Sequence, residues 1–109
     1  MERLACLMTV LALSIAASHV HAQGIGKPQE GLALAKQVCS ECHSVLRGQV
    51  RSPNSMSPTF VELATAPGMT TTALLVALTT PHAGMPMFIL TTEQRENIIA
   101  YILSLKAEN

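Results

Sequence analysis

Residues 38–43 read Val38-Cys39-Ser40-Glu41-Cys42-His43 and contain the pattern C-x-x-C-H, which is typical of c-type haem attachment. Two thiols three positions apart lie on neighbouring turns of a helix, so they can form thioether bonds with the two vinyl groups of one porphyrin. The imidazole that follows is then placed to ligate iron. The motif therefore predicts one covalently attached haem c, with Cys39 and Cys42 as its anchors and His43 as the first axial ligand.

The same two thiols are compatible with chemistry that needs no haem. A thioredoxin-like redox pair would need a βαβ pattern around it, and no run of the chain alternates convincingly as a strand. A structural zinc site would need a second pair of Cys or His ligands, and the sequence has none. A disulfide, or a haem-free thiol-redox or binding module that uses Cys39 and Cys42, stays open on the sequence alone.

The N-terminus is predicted to be a secretory signal. Residues 4–17 are almost entirely apolar and Val20-His21-Ala22 follows them, which favours cleavage after Ala22. The apolar run is shorter than the roughly 20 residues that span a membrane. We therefore expect residues 1–22, with Cys6, to be removed, and residues 23–109 to form one periplasmic domain without a membrane span. Bacterial c-type haem is attached outside the inner membrane, which agrees with export.

Composition limits the remaining function classes. The chain of 109 residues has seven Lys and Arg against seven Asp and Glu, so nucleic acid binding has no electrostatic support. It has no Trp, one Tyr and two Phe. A small domain with so few aromatic residues has little with which to fill a core, and a haem would supply the missing apolar bulk.

Helical periodicity and capping residues predict an all-α domain with long irregular loops around residues 44–57 and 82–88. Three or four helices are expected, the last with a capping box between Thr91 and Gln94. Their expected starts are Pro28, Pro58 with Ser57 as N-cap, Thr71 with Thr70 as N-cap, and Thr92 with Thr91 as N-cap.

The second axial ligand would decide what the iron does. The candidates in residues 23–109 are His82, Met56, Met69, Met85 and Met87. Met85 precedes Pro86, which holds it in an extended conformation on a Gly-containing loop that could present sulfur to a flat ring. We predict Met85 as the ligand, with Met87 as its chief alternative and His82 as the ligand of a bis-histidine alternative.

Taken together, these features resemble the small single-haem class I cytochromes c of the bacterial periplasm. The resemblance spans residues 28–106. Besides the haem motif, it rests on Gly31, Ser52-Pro53-Asn54, Pro58-Thr59-Phe60, Pro67-Gly68-Met69-Thr70, Met85-Pro86 and Tyr101. It implies a cytochrome c-like fold with three to five short helices around one haem. The N-terminal and C-terminal helices should cross closely, with Gly31 facing Tyr101.

The resemblance also implies site roles and a function. In that family, the carbonyl of a proline orients the proximal histidine, and Pro53 resembles that proline. The family's loop methionine corresponds to Met85. Such a protein transfers electrons and catalyses no reaction of its own, either as a soluble carrier or as the small electron-accepting subunit of a dehydrogenase. Its partners would be redox proteins, a dehydrogenase or an oxidase.

Because the chain lacks a lysine-rich surface, an apolar rim near the haem edge is expected to dock them, with Met56, Met87 and Phe88 as candidates. A haem enzyme or gas sensor with an open or exchangeable sixth position is the alternative.

Overall fold

The computed structural model describes residues 25–106. The predicted signal, its cleavage after Ala22 and Cys6 lie outside the described residues. Within the described range, the chain forms four α-helices and no strand: α1 (Pro28–Val38), α2 (Phe60–Thr65), α3 (Thr71–Thr79) and α4 (Thr92–Ser104). None of these helices is long and apolar enough to cross a membrane. The predicted all-α fold class is confirmed.

Helix α1 crosses α4 at a glycine. A Cβ atom at Gly31 would lie 1.9 Å from the carbonyl oxygen of Asn97 and 2.9 Å from the Cβ of Tyr101. Gly31 and Ala35, one turn apart, are both buried at this contact. The predicted close approach of Gly31 to Tyr101 is confirmed, and only a residue without a side chain fits there.

The residues before α1 are also fastened to α4. Gly26 has a φ of +112°, and a Cβ there would lie 2.2 Å from the carbonyl oxygen of Glu96. The backbone N–H of Lys27 donates to Oδ1 of Asn97 at 2.7 Å, and Nδ2 of Asn97 donates to Oε2 of Glu30 at 3.2 Å. The buried Asn97 side chain therefore satisfies polar groups of the chain leading into α1.

The core lies against α4, which supplies four of its ten buried apolar residues. Phe60 of α2 and Leu74 of α3 pack into it beside Tyr101. The Tyr101 hydroxyl donates a hydrogen bond to the carbonyl oxygen of Val45, which ties the first long loop to α4. The buried apolar residues are Ala35, Val45, Phe60, Ala64, Leu74, Ile98, Ile99, Tyr101, Ile102 and Leu105.

The predicted start of α2 is wrong. The helix begins at Phe60, and its N-cap is Thr59, not Ser57. The Thr59 hydroxyl accepts from the backbone N–H of Glu62 at 3.1 Å, while the Glu62 carboxylate accepts from the backbone N–H of Thr59 at 2.6 Å. This capping box satisfies two backbone donors at once, which Ser57 could not do, and it leaves Pro58 outside the helix.

The predicted N-caps of the last two helices are confirmed. Thr70 accepts a hydrogen bond from the backbone N–H of Ala73 at the start of α3. Thr91 and Gln94 form the predicted capping box at the start of α4. Both starts were readable because each cap contacts backbone only a few residues away.

Candidate functional site

The C-x-x-C-H motif lies just past the end of α1. Cys39 is the C-cap residue, and its backbone N–H donates to the carbonyl oxygen of Ala35. The backbone N–H of His43 donates in turn to the carbonyl oxygen of Cys39 at 2.9 Å, so the motif continues in helix-like turns. The thiols of Cys39 and Cys42 are both free and half-buried. They are not joined in a disulfide and are available to a ligand.

A mainly apolar cavity of about 530 Å³ opens beside the motif. Its volume falls within the roughly 300–1,000 Å³ that is usual for ligand and cofactor pockets. The C-cap of α1, the helices α2, α3 and α4 and both long loops line this cavity. A smaller recess of about 30 Å³ borders it at Cys42 and Phe88. Its principal lining residues are Cys39, His43, Met56, Phe60, Met69, Leu74, Leu78, His82, Met85, Ile98 and Ile102.

The imidazole of His43 is oriented by a backbone carbonyl. Nδ1 of His43 lies 2.6 Å from the carbonyl oxygen of Pro58. A carbonyl oxygen can only accept a hydrogen bond, so Nδ1 carries the proton and Nε2 keeps its lone pair for a metal. The ring also packs against that of Phe60, with centroids 5.6 Å apart. His43 is thus held in the tautomer and orientation that a ligand needs.

The prediction that Pro53 orients His43 is wrong, because the loop folds so that Pro58 reaches the ring instead. The backbone N–H of Asn54 donates to the carbonyl oxygen of Cys42 at 3.2 Å, and that of Phe60 donates to the carbonyl oxygen of Ser44 at 2.9 Å. The second of these bonds brings the start of α2, and with it Pro58, next to the motif, while Pro53 remains exposed.

The sequence did contain a signal for Pro58. The spacing of Thr59 and Glu62 is that of a capping box, and it places the residue before Thr59 at the entry to a helix. Reading Ser57 as the N-cap placed Pro58 inside the helix and removed its carbonyl from consideration.

The structure brings four of the five candidates for the second axial ligand to the cavity, which is lined by Met56, Met69, His82 and Met85. Met56, which is 88% exposed, and Met69 do not reach the recess beside Cys42. Met85 is half-buried and lines both the cavity and the recess. Met87 is 49% exposed and lines neither. His82 lines the cavity, but its exposed ring is hydrogen-bonded through Nδ1 to the carbonyl oxygen of Thr80 at 3.1 Å. Cys39, His43 and Met85 therefore surround one space.

The burial of the Cys39 thiol argues against a haem-free redox module. Burial raises the pKa of the Cys39 thiol to about 11, whereas reactive cysteines usually have a lowered pKa. Residues 25–106 contain no group of three or more His, Cys, Asp or Glu side chains that could hold a metal ion, so a zinc site is not formed there. Two free thiols, one correctly oriented imidazole and a large apolar cavity fit a covalently attached porphyrin.

Fold and site together define an all-α protein that attaches a c-type haem. A family model described as "Cytochrome C oxidase, cbb3-type, subunit III" matches residues 26–102. The chain is also 35% identical over 97 residues to "Cytochrome c-552" of Bradyrhizobium diazoefficiens, with 89% of each chain covered. No solved structure matches the chain.

The chain belongs to the cytochrome c family that these matches describe, and it is a small class I c-type cytochrome. It carries a covalently bound c-type haem, and its role is haem-based electron transfer. The predicted family, fold class and cofactor are confirmed.

Proposed function

We propose that this cytochrome is a periplasmic electron carrier whose haem iron is ligated by His43 and Met85. The observation that carries the proposal is that both side chains, together with Cys39, line the apolar cavity and also the recess beside Cys42. Met87 and His82 are less suited, because the first lies outside the cavity lining and the second is already hydrogen-bonded and exposed.

Each residue has a distinct role in the proposed site. The thiols of Cys39 and Cys42 fix the haem, and the Pro58 carbonyl holds His43 in one tautomer. The bound haem supplies a one-electron iron couple, whose potential is raised by Met/His ligation. With two protein ligands, the proposed site leaves no axial position for a substrate, as an electron carrier requires.

The proposed location and partners follow from the sequence. Residues 1–22 are proposed to be a cleaved signal peptide because of their apolar run. The chain would act either as a soluble carrier or as the small electron-accepting subunit of a dehydrogenase, and exchange electrons with a dehydrogenase or an oxidase. The description of the matching family names an oxidase subunit, which is compatible with an oxidase as partner.

The proposed docking surface is the apolar rim formed by Met56, Met87, Phe88 and Ile89, all of them exposed. Residues 63–92 contain no Lys, Arg, Asp or Glu, so most of this rim comes from a stretch without formal charge. A partner of matching chemistry would present an uncharged apolar surface, with little contribution from long-range attraction.

The deciding experiment is an absorption spectrum of holoprotein produced by export. We expect c-type bands and, in the oxidised state, a weak sulfur-to-iron charge-transfer band. This band should be lost in Met85→Ala and kept in the matched control Met87→Ala. Loss in Met87→Ala alone would overturn the ligand assignment.

Two further measurements test the alternatives. Ready binding of carbon monoxide to the reduced protein would favour the enzyme or gas-sensor alternative, and its absence supports the carrier. The mass of the exported protein tests the signal: we expect a chain that begins at Gln23 and carries one haem. A mass that retains residues 1–22 would contradict cleavage.

A further inference from the structure

An arginine near the start of α4 contacts the loop that carries Met85. Nη1 of the half-buried Arg95 donates to the carbonyl oxygen of Leu90 at 2.6 Å, and Nη2 donates to the hydroxyl of Thr92 at 3.2 Å. Its Nε atom is buried and has no hydrogen-bond partner within residues 25–106. The guanidinium is therefore fixed in place although one of its donors is unsatisfied.

This is an unfavourable place for a cation. Arg95 is the fourth residue of α4, close to the positive end of the helix dipole. It forms no ion pair within the described residues. The salt bridge found there joins Lys27 and Glu30. Burying a guanidinium is costly unless it is hydrogen-bonded, and the bond to the Leu90 carbonyl offsets part of that cost.

That contact is unusual among the hydrogen bonds of the loop, residues 81–90. Of those found in the described part of the chain, two are local: Met85 N–H to the carbonyl of His82, and His82 Nδ1 to the carbonyl of Thr80. The third, from Arg95 to Leu90, spans five residues and joins the end of this loop to the first turn of α4, the helix that follows it. The side chain of Leu90 also packs against the core.

We propose that Arg95 is a positioning residue that fastens the end of this loop to α4 and so keeps Met85 at the cavity. The inference rests on the proposed ligation by Met85. Arg95 does not line the cavity, so it acts through the backbone at Leu90 and does not touch the cofactor. Without it, the loop should open more often and leave the sixth position accessible to an added ligand.

The test measures imidazole binding to the oxidised holoprotein. In a site closed by Met85, the apparent affinity reports the fraction of molecules whose loop is open. Replacing Arg95 by Met keeps much of the side chain's volume and removes its hydrogen bonds. We expect Arg95→Met to raise the apparent imidazole affinity about tenfold, as loss of a hydrogen bond from a charged donor implies.

Arg47 provides the matched control. Its Nη2 also donates to a backbone carbonyl, that of Ser104 at the far end of α4, at 3.2 Å. Arg47→Met removes a comparable contact away from the Met85 loop and should change imidazole affinity less than about twofold. An equal rise in both variants would mean general loosening of the fold and would overturn the proposal, as would no rise in Arg95→Met.

Two additional variants separate the possible failures. In Met85→Ala the site is already open, so adding Arg95→Met should change imidazole affinity no further, and an additional rise would overturn the proposed route through Met85. If the unmodified protein binds imidazole as tightly as Met85→Ala, ligation by Met85 itself is wrong. Should Arg95→Met give no holoprotein, Arg95→Gln, whose side chain is too short for both contacts, decides by the same criterion.

Discussion

The carbonyl oxygen of Pro58 accepts a hydrogen bond from Nδ1 of His43 at 2.6 Å, across a separation of 15 residues. The carbonyl is presented at the entry to α2, immediately before the capping box of Thr59 and Glu62. The orientation of the imidazole thus depends on where α2 begins, although no residue of the haem motif lies in that helix. This coupling makes the start of α2 part of the site.

The capping box gives the first prediction. Thr59→Ala removes the hydroxyl that accepts from Glu62 N–H and should lower the free energy of unfolding of the holoprotein by about 1 kcal/mol. Pro53→Ala, at an exposed position, should change it by less than about 0.5 kcal/mol. Denaturant titration followed by circular dichroism measures both. A larger loss in Pro53→Ala than in Thr59→Ala would show that Pro53 and not the capping box supports this loop.

The crossing of α1 and α4 gives the second prediction. Gly31→Ala would place a Cβ atom 1.9 Å from the carbonyl oxygen of Asn97, and backbone on both sides resists displacement. We expect a loss of about 3 kcal/mol in unfolding free energy, the upper end of the usual cost of overpacking, enough to reduce the yield of holoprotein sharply. In the control Gly48→Ala the new Cβ meets nothing, and only its φ of +88° is strained, at about 1–2 kcal/mol.

The site was predictable from sequence where the signals were local. The haem motif, the caps at Thr70 and Thr91, and the glycine at the helix crossing each depend on a few neighbouring residues or on one unmistakable size requirement. The choice between Pro53 and Pro58 depended on hydrogen bonds that fold a long irregular loop back onto the motif, and these have no periodic pattern in the sequence.

The contact of Arg95 with Leu90 shows the same limit. At the sequence level Arg95 is one of several charged residues near the start of the last helix, and nothing distinguishes it from a solvated side chain. Its role is visible only when the guanidinium is found bonded to the backbone of the Met85 loop.

The buried Tyr101 hydroxyl gives a prediction for pH. Burial raises the pKa of Tyr101 above its ordinary value of 10.0, because the charged phenolate is poorly solvated there. The folded state therefore holds this proton more tightly than the unfolded state does, and stability is fully present below pH 10 and declines as the pH rises beyond it.

Thermal unfolding at a series of pH values from 7 to about 11 tests this for the holoprotein, with Tyr101→Phe as the comparison. At neutral pH the variant should be less stable by about 1 kcal/mol, because it lacks the hydrogen bond to the Val45 carbonyl. Its stability should decline less between pH 9 and 11 than that of the unmodified protein. Parallel declines would show that Tyr101 does not contribute to the alkaline loss.

The charge-free stretch gives the last prediction, which concerns how two redox surfaces meet. Because residues 63–92 carry no Lys, Arg, Asp or Glu, electron self-exchange between two copies through the apolar rim should change less than about twofold between roughly 0.01 and 1 M salt. Nuclear magnetic resonance line broadening in mixed oxidised and reduced samples measures this rate.

Ile89→Lys places a cation on a fully exposed rim position and should slow exchange at low salt, with recovery as salt screens the repulsion between like charges. Ile25→Lys, equally charged but outside this stretch, is the control. A strong salt dependence in the unmodified protein, or equal slowing in both variants, would show that the copies meet through another face.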